Sequence, residues 1–222
     1  MSWNVHGLRD DLAALGRIVR ECDPDVMCVQ EAPKFARWRT RVAALARECG
    51  LFYVTGGGTT GGTALLVNLR VDIERSAELS LSRYAVGWPD RGVAAAVVRK
   101  SGARLAVASL HLPLPEAERL DHVRRALGVL SAGGCDHAFA AGDLNEIPGH
   151  AAWKHLDDEG LRDLAPRSGP TFPAVQPTKR IDGAFATHGV EVVLHGVVDL
   201  PSVDRASDHR PLLVTIEVPI SA

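Results

Sequence analysis

Carboxylates fall where apolar strands end: Glu31 after Cys28-Val29-Gln30, Asp143 after Phe139-Ala140-Ala141-Gly142, Asp182 after Arg180-Ile181 and Asp208 after Ala206-Ser207. Taken singly, each reads as a helix cap, a turn former or half of an ion pair. The asparagines Asn4 and Asn145 and the histidines His111 and His209 occupy similar positions, and together these residues make a set rich in hard oxygen donors. Such a set suits Mg2+ or Mn2+, which take one or two carboxylates and complete their coordination with water and substrate phosphate. The chemistry it would support is attack of water on a phosphoester. That reaction needs a base for the water, and a cation with amide or imidazole donors to stabilise charge on the phosphoryl oxygens.

The elements that must hold these residues alternate at first between strand and helix. A short strand, Ser2–His6, precedes a helix over Asp11–Glu21, whose Leu12, Leu15, Ile18, Val19 and Cys22 recur at helical spacing until Asp23-Pro24 ends it. Asp25–Gln30 reads as a buried strand, and Phe35–Cys49 as an amphipathic helix with Val42, Leu45, Ala46 and Cys49 inward. The middle is strand-rich, with β-forming runs at Leu51–Thr55, Thr63–Leu69, Ile73–Ser80, Val93–Arg99 and Arg104–Leu110. A helix is expected over Pro115–Leu130, then a strand His137–Ala141, a short helix Ala151–Asp158, and strands Arg180–Thr187, Val190–Val198 and Arg210–Val218. Helices confined to two stretches around many strands predict an α/β (α+β) sandwich of two sheets with helices on the outer faces, because each sheet must bury an apolar face against another layer. One domain over residues 1–222 is expected, with function at the strand ends.

Lys plus Arg number 25 against 27 Asp plus Glu, a net charge of -2 that gives no electrostatic reason to expect tight, non-specific grip on a long polyanion. Cys22, Cys28, Cys49 and Cys135 form no CxxC pair and read as reduced. The chain shows neither a leader pattern nor an uncharged apolar run long enough to span a membrane, so a cytoplasmic monomer is expected. The chain opens just ahead of Asn4, and its first strand reads as cut short.

The motifs Trp3-Asn4-Val5-His6-Gly7, Gln30-Glu31, Leu110-His111-Leu112, Gly142-Asp143-Leu144-Asn145, Arg180-Ile181-Asp182 and Ser207-Asp208-His209 occur in that order. In this the chain resembles the endonuclease/exonuclease/phosphatase superfamily, over nearly its whole length. The resemblance implies a four-layer α/β/β/α sandwich of two mostly antiparallel sheets, a bound Mg2+ (or Mn2+), and a phosphoester substrate, nucleic acid being one candidate. It casts Glu31 as the main metal ligand, Asn4 as a support for the metal or the phosphate, and Asp208 as completing the metal's surroundings. Asp182 and His209 resemble a hydrogen-bonded pair acting on a phosphate oxygen, Asp143 and Asn145 a pair orienting water and phosphate, and His111 a phosphate contact. Whether Asp143 or His209 takes the water's proton stays open. His6 departs from the acidic residue or asparagine of several nuclease relatives, which weakens a two-metal reading. It is read either as a substrate-phosphate contact or as a solvated strand-end histidine.

Weaker signals flank this set. Gly56–Gly62 lacks the Gly-Lys-Ser/Thr ending of a phosphate loop and reads as a mobile hairpin turn. Lys34, Arg37, Arg39 and Arg41 around Trp38 read as a solvated helix face, with contact to a nucleic-acid backbone or an anionic head group as the alternative. Thr171-Phe172-Pro173 resembles a substrate-side loop of bacterial members of that superfamily, while its residues alone read as a Pro-flanked turn. Trp88-Pro89-Asp90-Arg91-Gly92 lies in a region that in the resembled superfamily reaches into the cleft, which makes Arg91 a candidate phosphate contact; equally, Asp90 and Arg91 read as hairpin charges.

Overall fold

The computed structural model describes residues 1–81 and 91–220; the Trp88-Pro89-Asp90 part of the turn named above lies outside them. Two six-stranded sheets form the centre. The first comprises β1 (Ser2–Asn4), β2 (Val26–Gln30), β3 (Phe52–Gly56), β4 (Ala64–Val67), β11 (Glu191–Val197) and β12 (Leu212–Glu217), in the order β11-β12-β1-β2-β4-β3. The second comprises β5 (Asp72–Ser80), β6 (Gly92–Lys100), β7 (Ala103–His111), β8 (Ala138–Asp143), β9 (Leu161–Asp163) and β10 (Asp182–Thr187), in the order β5-β6-β7-β8-β10-β9. Each sheet is antiparallel except at one pair, β1 with β2 and β7 with β8.

Period-two alternation explains the layering. In β2, Met27 and Val29 face helices α1 (Leu12–Cys22) and α2 (Trp38–Cys49), while Cys28 faces the other sheet. In β7, Ala106, Ala108 and Leu110 face α3 (Glu116–Ser131) and α4 (Ala151–Asp158), while Leu105 and Val107 turn inward. Strands buried on both faces read as continuous apolar runs. The result is the expected four-layer α/β/β/α sandwich.

Local chemistry sets the boundaries. The Asp11 carboxylate accepts the Ala14 N–H at 2.9 Å and caps α1, and Asp23 ends that helix in the left-handed region ahead of Pro24. Helix α2 starts later than its periodicity predicts because Arg37 is left-handed (φ 59°). The glycine turn is not the mobile hairpin expected from its composition. Gly57 and Gly58 form a seat for the buried Trp38 ring, where an added Cβ would come within 2.7 Å and 2.6 Å of the indole. Thr60 and Thr63 close the turn by donating their hydroxyls to the Thr63 and Gly92 carbonyls.

Gly142, one residue before Asp143, is the tightest backbone approach in the central strands. A Cβ there would lie 1.9 Å from the Leu110 carbonyl oxygen on the neighbouring strand. Gly142→Ala is expected to lower unfolding free energy by about 2–4 kcal/mol. Gly128→Ala, on α3 with open space around it, should change stability little or raise it by up to about 1 kcal/mol. Thermal melts of both variants check this, and equal melting temperatures for wild type and Gly142→Ala would contradict the packing described.

Candidate active site

The strand ends converge at one edge of the sandwich. In the second sheet, His111, Asp143 and Asp182 share a register row across β7, β8 and β10, so their side chains stand on one face. Their alternation matches that of Val107, Ala141 and Ala184 in the inter-sheet core, so the row points at the first sheet. There Asn4 ends β1 and Gln30 ends β2, leading into Glu31.

The Asn4 amide joins the sheets, its Nδ2 donating to Glu31 Oε1 and to Asp143 Oδ2, each at 3.1 Å. Its Oδ1 already accepts the His6 N–H at 3.0 Å. Asp143 Oδ1 accepts the Asn145 N–H at 2.9 Å, and Asn145 Nδ2 donates to the Leu112 carbonyl at 2.8 Å, tying the ends of β7 and β8 together. His209 Nδ1 lies 3.0 Å from Asp182 Oδ2, and its Nε2 lies 3.7 Å from Asp143 Oδ2. His111 Nε2 approaches the same Asp143 oxygen at 3.5 Å. Glu31 and Asn145 are both left-handed (φ 52°), a conformation that costs free energy in non-glycine residues. The Glu31 peptide is held on both sides: Gly7 N–H donates to its carbonyl at 3.0 Å and Ala32 N–H donates to Gly62 O at 2.7 Å.

Burial and charge set the protonation of this group. Burial pushes the Asp143 carboxyl up, and the nearby Asp182 charge adds to it, reaching about 7 against the opposing pull of His209. Burial alone would weaken the hold of His209 on its proton. The Asp182 charge and hydrogen bond, with Asp143 and Asp208 beyond, reverse that and raise the group to about 9. His209 is therefore a cation at neutral pH. Burial, then the charges of Arg91, His209 and Lys34, keep His111 well below its ordinary value and hence neutral.

Three of the expected site residues stand further out. Asp208 is half-exposed and lies 3.9 Å from His6 Nε2, whose other ring nitrogen sits 2.7 Å from Asp10 Oδ2. His6 is thus bonded to a carboxylate rather than to solvent alone. Arg91 stands at the rim, its Nε donating to the Leu112 carbonyl at 3.2 Å.

The sequence reading missed several supports. Trp3 Nε1 donates to the His209 carbonyl at 2.8 Å, and Ser207 Oγ donates to the Asn4 carbonyl at 2.6 Å while accepting the His209 N–H at 3.2 Å. Gln30 and Ser109 form a buried polar floor, with Gln30 Nε2 donating to Ser109 Oγ at 3.1 Å. The signal for both is parity: Ser109 shares the inward face of β7 with His111, and Gln30 shares the inward face of β2 with Cys28. The Thr171-Phe172-Pro173 turn packs directly on the site: Phe172 lies against the His209 ring at 4.8 Å between centroids, and Thr171 Oγ1 accepts the Asp182 N–H at 3.4 Å.

The arrangement fits a divalent cation. Asp182 Oδ1 is buried with no hydrogen-bond partner among the described residues, and Asp143 is driven toward its neutral form by burial and then by the neighbouring Asp182 charge. Among the described residues, ligand atoms of Asp143, Asp182 and His209 lie within 4.8 Å of one another.

A family model described as "Endonuclease/Exonuclease/phosphatase family" matches residues 1–209. Among solved structures, a functionally unknown conserved protein from Enterococcus faecalis superposes with a TM-score of 0.82 at 18% identity, covering 98% of both chains. A mannosyl-6-phosphatase from Bacteroides thetaiotaomicron gives 0.77 at 18% identity, over 97% of this chain and 98% of that one. TDP2 of D. rerio, complexed with a single-strand DNA product, gives 0.75 at 19% identity over 98% and 97%. No curated protein sequence matches the chain.

Proposed function

Because the chain belongs to the endonuclease/exonuclease/phosphatase family, we propose that it is a divalent-metal-dependent hydrolase of phosphodiester bonds. The observation that supports this best is the His111–Asp143–Asp182 row facing Asn4 and Glu31 across the sheet edge, with a cationic His209 in contact with two of its carboxylates.

Glu31 would hold Mg2+ or Mn2+, with the half-exposed Asp208 completing its surroundings. Bound there, the cation would supply positive charge to the phosphoryl oxygens. The tighter group of Asp143, Asp182 and His209 could itself hold a cation, with His209 deprotonated so that its ring nitrogen has a lone pair to offer; in this reading it serves the water and the phosphate instead. Asn4 presents its amide nitrogen to Glu31, so its part is to orient that carboxylate and to donate to phosphate. Asp182 fixes the His209 ring and keeps it charged, leaving the Nε2 proton to donate to a phosphoryl or leaving oxygen. Asp143, with its carboxyl near 7, is matched to taking a proton from water at neutral pH. Asn145 orients that water, neutral His111 binds phosphate without adding charge, and Arg91 and His6 bind it from the rim.

Hydrolysis of a small phosphomonoester is the second reading. The net charge of -2 favours it over a long polyanion, and one structural relative bears a phosphatase name. A panel in Mg2+ and Mn2+ comparing bis-p-nitrophenyl phosphate, p-nitrophenyl phosphate, mannose 6-phosphate, single-stranded DNA and plasmid separates them. Diester turnover abolished by chelator is the expected result. Faster turnover of the monoesters would replace the first reading with the second, and no turnover of any substrate would overturn both.

A further inference from the structure

A buried ion pair outside the catalytic set joins the two loops that bear it. Arg119 on α3 and Glu146, three residues past Asp143, have side chains only 9% and 3% exposed, and Arg119 Nε donates to Glu146 Oε2 at 2.8 Å. Among the described residues, every other polar contact of the pair leads to a loop end or a helix start. Arg119 Nη1 donates to the Leu114 carbonyl at 2.6 Å and to the Pro113 carbonyl at 3.4 Å, in the segment just after His111 and Leu112. Glu146 Oε1 accepts the Ala152 N–H at 2.6 Å and the Trp153 N–H at 3.4 Å, and Trp153 Nε1 donates back to the Glu146 carbonyl at 2.9 Å.

These contacts meet at one place. The loop after β7 and the loop after β8 are cross-linked on the site side by Asn145 Nδ2 to Leu112 O, and on the far side by Arg119 to Glu146. A left-handed Asn145 (φ 52°) is held between them. A guanidinium suits the task because its rigid planar fork fixes the directions of its bonds to a carboxylate and two carbonyls, whereas a lysine offers three donors from one freely rotating nitrogen.

We propose that Arg119 and Glu146 are positioning residues, a clasp that fixes the spacing between the His111–Leu112 and Asp143–Asn145 loops and so sets the rate of the reaction without touching substrate or metal. This rests on the hydrolase reading above, and its test includes a readout that does not.

The variants are Arg119→Met, Glu146→Gln, and the double variant Arg119→Met/Glu146→Gln. Glu146→Gln keeps an oxygen for the α4 N–H groups. In the double variant no charged partner is left buried alone, so folding should survive where a single variant falters. On bis-p-nitrophenyl phosphate with saturating Mn2+, each variant is expected to lose about 10–100-fold in kcat with KM within about threefold. The double should lose no more than the worse single, because the two residues act as one unit. Calorimetric Mn2+ affinity should stay within about threefold of wild type, since Glu31 lies on the other sheet. Independently of turnover, hydrogen exchange of the Asn145 side-chain amide should quicken by about tenfold or more as its bond to Leu112 loosens. A folded double variant with wild-type kcat and unchanged Asn145 exchange would overturn the proposal, as would loss of Mn2+ affinity in step with rate. A wild-type protein that turns over no phosphoester overturns the hydrolase reading alone, and the clasp is then decided by the exchange measurement.

Discussion

His209→Ala should lower kcat for phosphodiester hydrolysis by about a thousandfold or more while leaving Mn2+ affinity within about threefold of wild type. The imidazole is a buried cation whose Nδ1 is committed to Asp182 at 3.0 Å, so on the proposed reading its removal takes away a positive donor to the phosphate. Asp182 is then left buried without a cation, which costs stability as well as rate. His209→Asn separates the two effects, because its amide can still donate to Asp182 while supplying no charge. It should melt closer to wild type and remain as slow as the alanine variant. The pH dependence of kcat/KM carries the same signature. Activity that needs Asp143 ionised rises as pH passes about 7, and activity that needs His209 protonated falls as pH passes about 9. The alkaline limb should vanish in His209→Asn. Rates in either variant within tenfold of wild type would remove His209 from the reaction.

Glu31→Gln should raise the dissociation constant for Mn2+ by about a hundredfold or more, and rate at fixed low metal should fall in proportion. Glutamine preserves the side-chain length and retains an oxygen for the Asn4 amide, which reaches Glu31 Oε1 at 3.1 Å. The negative charge that a hard cation requires is lost. Titration calorimetry measures the affinity directly, and kinetics across a metal series should show part of the lost rate returning at high Mn2+. His209 variants should show no such recovery. Equal Mn2+ affinity in wild type and Glu31→Gln would take the ligand assignment away from this residue.

Much of this site was legible because its chemistry falls at strand ends and strands obey a period of two. Asn4, Glu31, His111, Asp143 and Asp182 each end, begin or follow an apolar strand, and pairing within each sheet together with the packing of one sheet on the other brings them to one edge. The layering was legible for the same reason: runs such as Val26–Gln30 are buried on both faces, and the helices between them have one apolar face. Other features depend on tertiary contacts that no local pattern announces. Arg119 and Glu146 are 27 positions apart, and each alone reads as an ordinary surface charge. The seat for Trp38 requires the glycines of a distant turn, so a run that composition marks as loose is in fact packed. Strand β9, three residues long, and the four-residue helix Val203–Ala206 are too short to show a period. The first turn of α2 was overestimated because periodicity does not register the left-handed Arg37 that delays it.

The most direct test of the central assignment is a crystal structure of the protein with Mn2+ and inorganic phosphate, using anomalous scattering to place the metal. The expected result is one manganese bound by Glu31, with phosphate oxygens within hydrogen-bonding distance of Asn4, Asn145, His111 and His209 Nε2. Manganese bound by Asp143, Asp182 and a deprotonated His209, with Glu31 uninvolved, would contradict the account at its centre.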